Sequence, residues 1–148
     1  MAQAAPVIAA VVFGPLSFVA LWCGISGLIA VVSGYRNLAE RFAEPRVYAG
    51  TGRPLPDPFY ARLGLASYRG YMIHLDANQA GLGIQVSRLF PFHPPLRIPW
   101  NRIVMGSPSK WRLWPTRSFI LDGSVTVHIS EETGNAIADA QREFVGAD

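Results

Sequence analysis

The sequence predicts an N-terminal transmembrane helix followed by a small α+β domain, an antiparallel β-barrel or sandwich closed by a C-terminal helix. Three observations carry this. Residues 1–35 contain no Asp, Glu, Lys, Arg or His, and every charged side chain lies from Arg36 onward. Beyond residue 59 apolar and polar residues alternate with period two between turn signals. The final stretch, "SEETGNAIADAQREFVG", returns to helical spacing. The chain therefore divides into a tail and membrane helix (1–35), a juxtamembrane helix with a Pro/Gly connector (36–58), and a β domain with its closing helix (59–148).

From Pro6 to Val32 the chain is apolar apart from small residues. A spanning helix needs roughly 20 such residues. A cleaved signal peptide would want a basic n-region and a shorter run, and neither is present. Pro15 suits a kink or a first turn. From Pro15 to Val32 a helix rises about 27 Å, close to the hydrocarbon thickness. Arg36, Arg41, Arg46 and Arg53 follow the run, and no basic residue precedes it. That bias predicts a single pass through the cell inner membrane with the C-terminal domain cytoplasmic. Cys23, the one cysteine, allows no disulfide framework.

"GYRNLAERF" puts Tyr35, Leu38, Ala39 and Phe42 on one helical face. The spacing predicts a helical extension leaving the bilayer, stopped at Glu44-Pro45. Pro54, Pro56 and Pro58 with Gly50 and Gly52 mark the connector. "YMIHLD" and "LGIQVSRLF" around "ANQAG" read as a hairpin, with Ile73, Leu75, Leu82, Ile84 and Val86 inward and His74 and Asp76 outward. "LRIPWNRIVM" is a strand bent by Pro99, and a further strand runs around Phe119–Leu121. Asp122-Gly123 signals a turn before "SVTVHIS", where Val125, Val127 and Ile129 face inward. Ser130 is the expected N-cap of the last helix, which packs Ile137, Ala140 and Phe144 inward. A pleckstrin-homology-like fold fits this order, with an SH3-like or other small barrel left open.

The segments "SGYRNLAERF", "GLGIQV" and "HPPLRIPWNRI" carry a resemblance. Over roughly Ser33 to Val104 the chain resembles a group of uncharacterised bacterial proteins with one membrane helix and a pleckstrin-like β domain. Their specific mark is the His-Pro-Pro-Leu-x-Ile-Pro-Trp segment. The resemblance implies a membrane-anchored module rather than an enzyme, and it carries over no catalytic residue.

The residues themselves point the same way. His74, His93 and His128 lack metal-type spacing, and no Gly-x-Ser-x-Gly elbow occurs. "GLGIQV" lacks the third glycine of a dinucleotide loop. No catalytic, cofactor-binding or metal-binding residue is expected, and nucleic acid is not an expected partner. Three groups of residues remain as candidate contacts. Lys110, Trp111, Arg112 and Trp114, with Tyr35 and Arg36, combine basic and aromatic side chains suited to anionic headgroups. Phe90, Phe92 and Trp100 form either a rigid docking surface or, in part, core filling behind a stiff His93-Pro94-Pro95 turn. Ala20, Gly24, Gly27 and Gly34 form a small-residue seam for a homodimer or another membrane protein. The expected role is a cytoplasm-facing binding or scaffold module anchored in the lipid bilayer. The alternative is an accessory structural subunit of a larger membrane complex.

Overall fold

In a computed structural model the backbone is described over residues 4–46, 49–70, 72–111 and 114–146, and side chains over the same residues except 4–13 and 111. Helix α1 spans Ala4–Val32 and contains Pro15. Its Gly14–Val32 portion is long and apolar enough to cross a membrane, with a mean hydropathy of 2.1. The helix does not run on into the next segment as expected. Gly34 adopts φ 73°, and a Cβ there would fall 2.7 Å from the Val125 side chain. A left-handed turn pressed against a neighbour admits only glycine. A separate helix α2, Tyr35–Phe42, leaves that turn with Tyr35 and Leu38 buried. It stops as expected: Ala43 is extended and bridges Leu96, and the Glu44 N–H donates to the Pro95 carbonyl at 2.8 Å.

Among the described residues nine strands follow: β1 (Arg53–Pro54), β2 (Tyr60–Leu63), β3 (Ala66–Arg69), β4 (Ile73–Asn78), β5 (Gly81–Val86), β6 (Leu96–Ile98), β7 (Ile103–Trp111), β8 (Trp114–Leu121) and β9 (Val125–Ser130). They make two antiparallel sheets, ordered β1-β4-β5-β6 and β3-β2-β9-β8-β7. Among the described residues no ladder joins β3 to β4 or β6 to β7, so the sheets do not close into a barrel. Helix α3, Glu131–Val145, completes an α+β fold.

Most of the expected alternation is present: Val125, Val127 and Ile129 are buried, as are Ile73, Leu75, Leu82, Ile84 and Val86. The hairpin β2–β3 was not expected from sequence. Asp76 was expected to face outward and is buried instead. It pairs with Arg97 at 2.7 Å, and Arg97 also meets Glu44 at 3.2 Å. Gly52 donates its N–H to Asp76 at 3.0 Å, and a side chain at Gly83 would collide with the same carboxylate. A charge leaves water only when paired and hydrogen-bonded, and this site supplies both.

The core also reaches back past residue 59. Tyr35, Leu38 and Leu55 belong to it. Ser130 was expected to cap α3 through its side chain; its hydroxyl meets that of Thr133 at 2.9 Å, and no side-chain cap bond forms. Gly134 sits against β8, where a Cβ would fall 2.5 Å from Arg117 Cβ. Close packing, rather than helix propensity, selects glycine there.

The proline-rich segment splits into two parts. Pro99 starts a 3₁₀ turn, with the Arg102 N–H donating to its carbonyl at 2.9 Å. The turn drops Trp100 into the core, 5% exposed. Its indole N–H donates to Asn78 O at 2.8 Å, and its ring stacks on Phe144 with centroids 6.0 Å apart. His93 closes the other part and is 1% exposed. Its Nε2 lies 3.0 Å from the Tyr68 hydroxyl, and its ring is 4.7 Å from Tyr35 and 5.5 Å from Phe90. Burial pushes the His93 imidazole down to about 4.

Two outcomes are expected for the full chain in detergent micelles. Trp100→Ala costs about 3–5 kcal/mol in a denaturant or thermal melt, because it empties a filled site. A melt unchanged within a degree or two contradicts this placement. The second outcome concerns acid. Unfolded, His93 takes up a proton near pH 6.5; folded, it resists until about pH 4. Its neutral burial is therefore fully tolerated above pH 6.5, and stability falls as the pH drops toward 4. The loss between pH 7.5 and pH 5 is about 2 kcal/mol. His93→Gln flattens that slope; an identical slope in the variant removes His93 as its cause.

Candidate binding cleft

Four elements converge at one end of the larger sheet. Strand β2 starts at Tyr60, β3 ends at Arg69, β8 starts at Trp114, and β9 ends at Ser130, where α3 begins. The register aligns these ends: Tyr60 pairs with Arg69, and Thr116 with Ser130. The opposite end of the sheet carries Leu121, Val125 and the turn packed on Gly34. The converging ends enclose a cavity of about 920 Å³.

Phe59 and Trp114 flank it, with ring centroids 6.4 Å apart and planes tilted by 43°. They are 60% and 62% exposed, so two large apolar rings stand open to a ligand. Phe59 is held by its carbonyl, which accepts the Gly70 N–H at 3.0 Å. Thr116, at the base, is buried and donates its hydroxyl to Ser109 O at 3.2 Å. Arg69 lines one wall, and Glu131 and Glu132 line another, at the first turn of α3. These three make no ion pair among the described residues. An apolar slot with a cation on one side and carboxylates on the other accepts an aromatic or aliphatic side chain with charged neighbours.

Of the residues expected to contact the membrane, Lys110 and Trp114 are exposed at the base of the β7–β8 hairpin tip. Trp111 pairs with Trp114 through its backbone, its side chain lies outside the described residues, and so does the whole of Arg112. Arg36 is exposed beside Glu40 at 3.5 Å. Tyr35 was expected to anchor at the interface; it is fully buried, and its hydroxyl donates to Pro94 O at 2.6 Å. Burial pushes its phenol well above the usual value. The turn at Gly34 causes this, since it swings Tyr35 from the helix axis into the domain.

Phe90, Phe92 and Trp100 do not share one surface. Phe90 and Trp100 are core residues, and Phe92 is half exposed against Gly27. The small-residue seam is likewise divided. Ala20 and Gly24 are exposed, Gly27 is covered by the Phe92 ring, and Gly34 is outside the helix. The cleft residues Phe59, Arg69, Glu131 and Glu132 were not singled out from sequence. Phe59 and Arg69 lie more than sixty residues before Glu131 and Glu132, and only the strand register brings the two pairs together.

Comparison with family models, with curated proteins and with solved structures finds no match to this chain.

Proposed function

We propose that the chain is a single-pass membrane-anchored binding module of the cell inner membrane, with a pleckstrin-homology-like β domain facing the cytoplasm. The cleft between Phe59 and Trp114 carries this reading, because two adjacent large aromatic rings exposed along one slot mark an interaction surface. The occupant is an apolar segment of a partner protein, bearing a basic group toward Glu131 and Glu132. Confinement by the helix raises the effective concentration of any partner at the same membrane. The orientation rests on Arg36, Arg41, Arg46 and Arg53. A second reading, the accessory subunit, is favoured by the uncovered face of α1 at Ala20 and Gly24. A third places Lys110 and Trp114 on anionic headgroups.

Photo-crosslinking residues at Phe59, Trp114, Ala20 and Gly24, introduced one at a time in cells, separate the three. The cleft positions are expected to give a discrete protein adduct. Trp114→Ala should weaken the adduct formed from residue 59 while shifting stability by no more than about 0.5 kcal/mol, since the ring is exposed. Protein adducts from Ala20 and Gly24 alone overturn this in favour of the accessory subunit. Adducts with lipid alone from residue 114 favour the headgroups.

Orientation has its own check. Protease added outside sealed cells should leave the β domain intact, and its digestion there reverses the proposed topology.

A further inference from the structure

Helix α1 is longer than a bilayer requires. Its 29 residues rise about 43 Å, against a hydrocarbon layer of about 30 Å. Some part of it must stand outside, and hydropathy alone assigns the crossing to Gly14–Val32. The packing argues otherwise. The Trp22 indole N–H donates to Leu89 O at 2.6 Å, and its ring lies 5.5 Å from Phe90. The Phe92 ring covers Gly27, and Ser26, Ala30 and Ser33 are buried. The β domain thus lies alongside the helix from Trp22 to Val32. Were Val32 the inner boundary, Leu89 would sit about 15 Å inside the hydrocarbon.

That depth is untenable for this loop. Between β5 and β6 the backbone is irregular, and exposed Arg88 stands beside Leu89. Lipid-exposed irregular backbone does not occur in the hydrocarbon, and an arginine there is costly. Against this stand the exposed Ile25, Leu28, Val31 and Val32, four aliphatic side chains that surface positions tolerate. A crossing over Ala4–Leu21 removes the conflict. Those 18 residues carry no charge and rise about 27 Å. Trp22 then falls where tryptophan is enriched, at the membrane–water interface. Leu89, 66% exposed, reaches the same level as an apolar tip beside a basic residue, while Phe92 packs on Gly27, about 7 Å further along the helix toward the β domain.

Resting on the reading that α1 crosses a bilayer, we infer that the crossing is Ala4–Leu21, and that Leu89 forms a second contact with the lipid interfacial layer beside Trp22. The β domain is therefore seated on the membrane at this loop, rather than hung below it on a tether.

The test uses the full chain in liposomes, in a Cys23→Ser background with single spin-labelled cysteines. Labels replace Val12, Leu21, Leu28, Leu89, Phe92 and Arg36, and oxygen access is compared with access to a water-soluble nickel chelate. Oxygen access should exceed nickel access several-fold at Val12 and fall by Leu21. Leu89 should match Leu21, and Phe92 and Leu28 should both be shallower. The inference is overturned if Leu28 is as deep as Val12, or if Leu89 is as open to nickel as Arg36. Lipid exposure at none of the labels removes the membrane-anchor reading itself, a distinct result.

Discussion

Between Trp22 and Pro94 a cluster of rings joins the apolar helix to the β domain. Trp22, Phe90, Tyr68, His93 and Tyr35 touch in sequence, with centroid separations from 4.7 to 6.2 Å. Most polar atoms among them are served locally, His93 Nδ1 being buried without a hydrogen-bond partner among the described residues. Tyr35 donates to Pro94 O, Tyr68 meets His93, and Trp22 donates to Leu89 O. Trp22, Tyr35 and Tyr68 each pack an apolar body while the polar atom finds a partner, the condition under which such residues stabilise a core. The prolines at 91, 94 and 95 hold the loop that presents Phe90, Phe92 and His93, so little conformational entropy remains to be lost when the helix seats against it.

Much of the architecture follows from that seat. The turn at Gly34 needs the Val125 surface to press against, and it directs α2 across to β6, where Ala43 bridges Leu96. At the end of α2, Glu44 meets Arg97, which holds Asp76 on β4. One continuous set of contacts thus runs from the apolar helix through α2 into the smaller sheet. A Pro/Gly connector alone would leave the domain free to reorient; the ring cluster and α2 give it a defined face toward the helix. The cleft, at the far end of the larger sheet, inherits that orientation.

The buried ion group shows why pattern reading stops short. Period-two alternation assigns Asp76 to the outer face with His74, and for His74 the structure agrees, since it is exposed beside Asp57 at 2.7 Å. Asp76 differs because its partner lies twenty-one residues away on another strand and two glycines, Gly52 and Gly83, clear space for its carboxylate. Neither glycine announces that role locally. His93 is a similar case: the Pro-rich setting marks a rigid turn, and the aromatic pocket that keeps the ring neutral is assembled from α2, β3 and the loop.

What the sequence determined by itself was what depends on composition and local period. The uncharged first 35 residues, the inward faces of β5 and β9, the stop of α2 before Pro45 and the closing amphipathic helix were all legible, because solvent partition and backbone geometry act residue by residue. Tertiary structure alone decided the destinations of the aromatic and charged side chains. Tyr35 went into the core rather than to the interface, Phe90 and Trp100 filled separate parts of that core, and Phe59 met Trp114 across 55 residues. The reason is physical: an aromatic ring or a charge gains from any well-fitted neighbour, and which neighbour is near is set by strand register and by the seat of the helix, neither of which is written in a local stretch of chain.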